Sequence, residues 1–211
     1  MSVVILIGCK GSGKSTLAYS LAKCAAYEHV SFRMAANHAW PDASTRLTKG
    51  GYVSDSEAIK VISPYLPPVG TNLVLDGFPR TEAQLNYITD VYGDGISFVH
   101  LVLENKEGLQ RLSFRELCVS CGMPYNAFGL RFTGSCFFCG MATVVRRPSD
   151  ASDYFLSKQT DDYNTKTRAM VGQCRAMHTV LDLEYWVTDA REWIELGIRL
   201  SECLTSREAI G

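Results

Sequence analysis

The feature that most constrains this chain is a glycine-rich segment near its start. Residues 8–15 read GCKGSGKS, which fits the pattern G-x-x-x-x-G-K-[ST]. The segment follows the apolar run VVILI at positions 3–7 and precedes a stretch over 15–27 with apolar residues at helical spacing. An apolar run without alternation is typical of a strand that is covered on both faces. The segment therefore predicts a tight turn between a buried strand and a helix.

This turn, called the phosphate-binding loop below, has the chemistry of a nucleoside triphosphate site. Its glycines let the chain wrap closely, so that backbone N–H groups converge on phosphate oxygens, and the helix N-terminus adds positive charge. Lys14 can reach the β- and γ-phosphates, and the Ser15 hydroxyl can bind Mg²⁺. A turn that holds no nucleotide is the alternative, which this spacing disfavours. The expected cofactor-binding residues are Gly8, Lys10, Gly11, Ser12, Gly13, Lys14, Ser15 and Thr16.

The rest of the chain alternates apolar runs with helical patterns. Further strands are predicted over 71–75, 96–103 and 185–188. Helices are predicted over 55–66, 81–92, 106–116, 154–177 and 192–204. Such alternation predicts βαβ units and a parallel sheet. Two polar stretches, over 32–51 and 117–148, interrupt it, and we interpret them as excursions from the sheet.

The composition excludes several classes of protein. Hydrophobic residues make up 46% and charged residues 20%, which argues against a disordered chain. The 21 Lys and Arg residues against 22 Asp and Glu residues give a net charge of −1, whereas nucleic-acid binding needs a basic excess. The apolar runs are far shorter than the roughly 20 residues that span a bilayer. Residues 1–7 lack the basic start of a signal peptide. We expect a cytoplasmic protein that binds neither nucleic acid nor membrane.

A second motif follows the predicted strand over 71–75. Residues 76–80 read DGFPR. Ligands of open α/β sheets bind at the carboxyl ends of strands, so Asp76 is placed to hold Mg²⁺ through water. Gly77 lets the chain approach the phosphates, and the proline stiffens the turn that aims Arg80 inward. A plain turn before a helix capped by Thr81 is the alternative.

Four of the eight cysteines form two C-x-x-C-G knuckles. Four thiolates at this spacing suit a closed tetrahedral Zn²⁺ site, which leaves no open position for catalysis, so the zinc is expected to be structural. A redox pair is the alternative, which the duplication disfavours. The expected ligands are Cys118, Cys121, Cys136 and Cys139. We interpret the scattered cysteines as free thiols: Cys9, Cys24, Cys174 and Cys203.

Taken together, the phosphate-binding loop, the DGFPR motif with Thr81 and Gln84 behind it, and the four-cysteine insert resemble the adenylate kinase family over nearly the whole chain. The resemblance implies an α/β fold of the P-loop NTPase type, in which helices flank a parallel sheet. It also implies a division into a core over 1–31, 71–116 and 150–211, a small NMP-binding insert over 32–70, and a zinc-bearing lid over 117–149.

The same resemblance implies roles for individual residues. Arg80 would grip the acceptor monophosphate, and Gln84 would read the acceptor base. Backbone groups near Val53 would contact that base. Arg111 and Arg115, predicted four apart on one helical face, would cover the nucleotide and bind phosphate oxygens respectively.

Beyond the lid, Arg147 and Asp150 match parts of the family's Arg-x-Asp-Asp motif, with Ser149 in place of one acid. Lys158 stands where the family has a later arginine, and it supplies charge without the two-pronged geometry. Residues 189–191 resemble the loop that packs on the donor adenine. The implied catalytic set is Lys14, Arg80, Arg111, Arg115, Arg147 and Asp150. The implied substrate-binding set is Val53, Gly77, Arg80, Gln84 and Lys158.

One departure from the family concerns the acceptor. The family carries Thr-Gly-Asp-x-x-Arg after its second strand, whereas residues 31–37 here read SFRMAAN. Arg33 and Arg46 are both candidates to replace the missing arginine. The resemblance implies reversible Mg²⁺-dependent phosphoryl transfer from ATP to a nucleoside monophosphate, AMP before others, by a monomer whose partners are small nucleotides. The alternatives are a kinase for a pyrimidine or deoxy monophosphate, and a degenerate regulatory protein that binds nucleotide.

Overall fold

The computed structural model describes residues 2–42, 53–93, 95–127, 129–146, 150 and 153–208. In chain order its strands are β1 (Val3–Gly8), β2 (Glu28–Ser31), β3 (Leu73–Asp76), β4 (Ile96–Leu101), β5 (Arg115–Cys118), β6 (Pro124–Asn126), β7 (Val144–Arg146) and β8 (Thr179–Leu183). Its helices are α1 (Lys14–Cys24), α2 (Phe32–Ala39), α3 (Asp55–Ile62), α4 (Glu82–Tyr92), α5 (Asn105–Ser113), α6 (Asp153–Asp162), α7 (Arg168–Met177) and α8 (Ala190–Glu208). A 3₁₀ turn (Ser63–Tyr65) follows α3, and a π-helical turn (Tyr163–Thr167) joins α6 to α7.

Five parallel strands form the central sheet in the order β2-β3-β1-β4-β8. The middle strand β1 is buried at all six positions. Val3, Ile5 and Ile7 enter one hydrophobic cluster, while Val4 and Leu6 enter another with α1 and α8. Helices therefore cover both faces of the sheet, which confirms the prediction of an α/β fold with a parallel sheet.

The second sheet is small and antiparallel, in the order β6-β5-β7. The two cysteine knuckles belong to this sheet and its loops, and the sheet packs against helices of the main domain. Tyr19 of α1 and Trp193 of α8 share a buried cluster with Met123 and Tyr125 of this region. We call residues 115–146, as far as the structure describes them, the cysteine module.

The prediction that Arg111 and Arg115 share a helical face is wrong. Helix α5 ends at Ser113, and Arg115 is the first residue of β5, where it pairs with Asn126. The local sequence has helical spacing, but backbone pairing with a strand nine residues further along overrides it, as tertiary contacts often override local propensity.

Two other segments also differ from the expectation. The last strand of the sheet is Thr179–Leu183, not 185–188, because β8 is an edge strand whose half-exposed side chains weaken the apolar signal. The single helix predicted over 154–177 is divided by the π-helical turn. The polar stretch over 32–51 begins with α2, which buries Phe32, while residues 43–52 lie outside the described part of the chain.

Among the described residues, no helix combines the length and the apolar character that crossing a membrane requires.

Candidate active site

A cavity of about 320 Å³ lies at the carboxyl ends of the parallel strands. Residues of the phosphate-binding loop line it. Arg33 of α2, Arg80, Arg111 and Arg115 all line it. Four cationic side chains from separate segments therefore line one cavity beside the phosphate-binding loop.

The loop itself has the predicted tight geometry. Gly13 caps α1 in a left-handed conformation with φ of 99°. A Cβ at this position would lie 2.5 Å from the Tyr185 hydroxyl oxygen, so only glycine fits here. That hydroxyl donates a 2.7 Å hydrogen bond to the Gly13 carbonyl and thereby braces the loop. Tyr185 is a site residue that the sequence analysis missed.

Lys14 is half-buried within this loop, and it lines the cavity. Its ammonium donates hydrogen bonds of 2.8 Å to the carbonyls of Gly8 and Cys9. Burial lowers the pKa of Lys14 to about 8, and the nearby Asp76 carboxylate only partly opposes that shift. The proton on Lys14 is therefore held weakly compared with that of an exposed lysine.

Ser15 and Asp76 form the oxygen pair that was predicted to hold Mg²⁺. The Ser15 hydroxyl donates a 2.6 Å hydrogen bond to Asp76 Oδ2, which also lies 3.8 Å from His29 Nε2. Burial alone would raise the pKa of Asp76, but His29, Lys14 and Ser15 outweigh it and hold the pKa below its ordinary value. The carboxylate is therefore ionised, as a ligand for a hard cation must be.

The one cavity-lining arginine named above that belongs to the cysteine module is fixed by an acid. Arg115 makes a two-pronged contact with Asp150, with Nε–Oδ2 and Nη2–Oδ1 distances of 2.8 and 2.7 Å. Lys10 of the loop has its Nζ 3.8 Å from the same carboxylate. Asp150 thus orients two cations toward the cavity. Arg80 donates a 2.9 Å hydrogen bond from Nε to the Gly77 carbonyl.

The four cysteine sulfurs lie within 4.8 Å of one another. The Cys118–Cys139 and Cys121–Cys136 sulfur pairs are both 3.6 Å apart, close to the roughly 3.8 Å that four 2.3 Å Zn–S bonds require. The Tyr125 hydroxyl donates to Cys136 Sγ at 3.1 Å. The donor set and its spacing are compatible with zinc.

A comparison with known proteins decides the family. The adenylate kinase of Pelobacter propionicus is 32% identical over 162 residues, which cover 70% of this chain and 73% of that protein. The chain belongs to the adenylate kinase family. The adenylate kinases of Moorella thermoacetica (29% over 190 residues; 82% of this chain, 85% of that protein) and Borrelia turicatae (28% over 179; 80% and 84%) are also similar to it. No protein-family model matches the chain. The expected family is confirmed, and so is the expectation that the chain is a nucleoside monophosphate kinase.

Most residues that the motifs and the family resemblance assigned to the site line the cavity directly. They are Gly8, Lys10, Gly11, Gly13, Lys14, Ser15, Thr16, Asp76, Gly77, Arg80, Arg111 and Arg115. Ser12, in the same loop, is buried, and its hydroxyl lies 3.4 Å from Lys14 Nζ. Arg147, Ser149 and the side chain of Lys158 lie outside the described part of the structure.

Gln84 and Val53, assigned to the acceptor base, do not line the cavity. Gln84 is buried; its Nε2 donates to Asp55 Oδ1 at 2.8 Å, and its Oε1 accepts from the Arg80 backbone N–H at 2.9 Å. Val53 packs against the core cluster. In this conformation Gln84 therefore joins α4 to α3, and both of its polar atoms are engaged within the protein.

The segment expected to pack on the donor base also lies elsewhere. The Asp189 carboxylate accepts hydrogen bonds from the backbone N–H groups of Arg191 and Glu192, so this acid caps α8. Residues 185–187 line the cavity in place of 189–191. His29 was missed too, because β2 is short and half-exposed and gives no clear strand signal.

Proposed function

We propose that this chain catalyses the reversible, Mg²⁺-dependent transfer of the γ-phosphoryl group of ATP to AMP. The observation that carries the proposal is the convergence of Lys14, Arg80 and Arg115 on one cavity beside the phosphate-binding loop. These three cations come from different elements, so a chain without a polyanionic ligand has no structural need to bring them together.

The reaction that fits this arrangement is direct in-line transfer. An oxygen of the acceptor phosphate attacks the γ-phosphorus, a new P–O bond forms, and the bond to the β-phosphate bridging oxygen breaks, which gives two nucleoside diphosphates. The protein supplies orientation and charge neutralisation rather than a nucleophile. Lys14 would face the β- and γ-phosphates, while Arg80 and Arg115 would hold the acceptor and the transferred group.

The oxygens of Ser15 and Asp76 are the residues that would hold Mg²⁺, Asp76 through water. When bound, the ion neutralises phosphate charge between the two reacting groups. The low pKa of Asp76 keeps the carboxylate available for this role, and the 2.6 Å contact with Ser15 sets the two oxygens side by side.

The cysteine module is proposed to bind one structural Zn²⁺ and to act as the lid that excludes water during transfer. The proposed division of the chain is a core over 1–31, 71–116 and 150–211, an acceptor insert over 32–70, and a lid over 117–149. We further propose that the protein acts as a monomer in the cytoplasm.

The acceptor side of the proposed site departs from the family, because residues 31–37 lack the family's acceptor motif. Arg33 lines the cavity and is our candidate for the replacement cation, whereas Arg46 lies outside the described residues. Because the missing motif leaves the acceptor base unassigned, a kinase for a pyrimidine or deoxy monophosphate is the second candidate. The missing motif itself favours the third, a degenerate regulatory protein that binds nucleotide.

A coupled assay with ATP across AMP, CMP, UMP, GMP and dTMP tests the proposal. We expect the highest kcat/KM with AMP, and a pyrimidine preference would select the second candidate. Binding of ATP without transfer to any of the five would indicate a regulatory protein. Lys14→Met is expected to abolish transfer and leave the circular dichroism spectrum unchanged, and near-normal turnover in this variant would contradict the scheme.

A further inference from the structure

A stacked pair lies at the edge of the cavity that is bordered by the cysteine module. The guanidinium carbon of Arg111 lies 4.0 Å from the ring centroid of Trp186, and both residues line the cavity. Arg111 Nη2 is also 2.5 Å from Glu107 Oε1, one helical turn earlier on α5. One face and one edge of the guanidinium are therefore held by the protein.

The indole of Trp186 also lies against the backbone of Gly129. A Cβ on Gly129 would lie 2.6 Å from Cζ2 and 2.8 Å from Cη2 of Trp186, so the bare backbone of Gly129 is what lets the ring sit there. Asn126, three residues earlier, donates from Nδ2 to the Arg111 carbonyl. The cysteine module thus fixes both members of the stack.

The sheet order shows which nucleotide this stack serves. Trp186 follows β8 and α2 follows β2, and these two strands are the opposite edges of the sheet. Arg33 of α2 lines the cavity on the proposed acceptor side, so the Trp186 side would be left for the donor. Leu130 and Val187 line the cavity beside the stack and give it apolar walls. A flat cation between apolar walls suits a nucleobase, which stacks by its π-face.

We propose that Trp186 is a positioning residue for the donor base: its indole holds the Arg111 guanidinium flat, so that the outward face of Arg111 stacks on the base of ATP. This inference rests on the proposed function and deepens it. A guanidinium that is already fixed loses little conformational freedom when the base binds, and this preorganisation improves affinity without a new contact to the nucleotide.

The variants Trp186→Leu and Trp186→Phe separate stacking from simple packing. We expect Trp186→Leu to raise the KM for ATP about tenfold, with kcat and the KM for AMP within about twofold of the wild-type values. Trp186→Phe keeps an aromatic face and is expected to restore most of the ATP affinity. Phe114→Leu, at an exposed aromatic residue that does not line the cavity, is the matched control and should leave all three constants unchanged.

Equilibrium binding keeps the inference testable without turnover. ATP is titrated into each variant by calorimetry, and tryptophan emission is followed in parallel. The wild type should show an emission change that Trp186→Phe loses. Gly129→Ala places a methyl group against the indole and should weaken ATP binding in the same direction as Trp186→Leu, and it replaces that variant if the latter does not fold.

The outcomes separate this inference from the proposed function. If the wild-type protein transfers phosphoryl to no monophosphate but Trp186→Leu still lowers the affinity for ATP, the proposed reaction is refuted and the positioning role of Trp186 is supported. Unchanged ATP affinity in both Trp186→Leu and Gly129→Ala overturns the inference. Tighter ATP binding in Trp186→Leu also overturns it, because the indole would then be covering the base site.

Discussion

Arg115 and Asp150 form a two-pronged ion pair that joins the start of β5 to the segment before α6, with N–O distances of 2.8 and 2.7 Å. The Asp150 side chain is only 6% exposed, and it also lies 3.8 Å from Lys10 Nζ. One buried acid therefore fixes two cations that face the cavity. Because the contact joins residues 35 positions apart, it also ties the cysteine module to the core.

We expect Asp150→Asn to lower both activity and stability. The amide keeps the size of the side chain but loses the charge, which leaves the Arg115 guanidinium partly buried without its partner. Breaking a buried pair in this way costs about 3 kcal/mol of unfolding free energy, and a misplaced arginine should reduce kcat at least about tenfold. Urea denaturation and steady-state kinetics measure the two effects. Asp161→Asn, at an exposed acid on α6, is the control, and equal behaviour of the two variants would refute the role of Asp150.

The titration of Lys14 predicts the alkaline limb of the pH profile. Burial lowers its pKa to about 8, so the free enzyme loses this positive charge as the pH rises through that value. We expect kcat/KM for ATP to fall above about pH 8, while kcat persists to higher pH because a bound triphosphate favours the charged form. Steady-state kinetics across this range measure both. Lys23→Met, at an exposed lysine on the same helix, should leave the profile unchanged, and a profile that stays flat well above pH 8 would contradict the prediction.

The same titration does not destabilise the fold. An unfolded lysine keeps its proton up to its ordinary pKa of 10.5, whereas the folded one releases it near 8, so the unfolded state binds more protons between these values. The contribution of Lys14 to the free energy of unfolding therefore rises with pH between these two values. A loss of activity through Lys14 should accordingly appear without a loss of unfolding free energy from the same residue.

The parts of the site that sequence reasoning located are those whose chemistry is local. The phosphate-binding loop, the DGFPR motif and the cysteine knuckles each place their functional groups within a few residues, so spacing alone specifies them. The unbroken apolar run at 3–7 likewise identified the central strand, because both of its faces are covered.

The parts that were missed depend on pairing between distant segments. Arg115 has helical spacing in the sequence, but it pairs with Asn126 in a strand. Tyr185 and Trp186 reach the cavity only because β8 joins the far edge of the sheet and ends beside the phosphate-binding loop. His29 lies on the short edge strand β2, and the register of β2 with β3 brings the His29 side chain near Asp76. No local pattern carries this information.

The cysteine module should contain about one zinc ion per chain, and its removal should weaken the core as well. Tyr19 and Trp193 pack against this module, and the ring centroids of Tyr19 and Phe138 are 4.8 Å apart. We expect Cys136→Ser to lose the metal and to lower the melting temperature by several degrees, because module and core are stabilised together. Metal analysis and thermal denaturation measure this. Cys203→Ser, at a free thiol on α8, is the control, and freshly purified protein without zinc would refute the assignment.

The last prediction concerns the bridge from Gln84 to Asp55. Asp55 Oδ1 accepts from both Gln84 Nε2 and the Thr81 hydroxyl at 2.8 Å, so α3, in the proposed acceptor insert, is joined to the start of α4. Gln84→Ala removes one donor and also leaves the Arg80 backbone N–H without its acceptor. We expect a loss of about 2 kcal/mol of unfolding free energy and a higher KM for the monophosphate, with the KM for ATP unchanged. Denaturation and two-substrate kinetics measure these effects, with Gln110→Ala, at an exposed glutamine on α5, as the control. A rise in both KM values together would show that the bridge serves the whole cavity rather than the acceptor side.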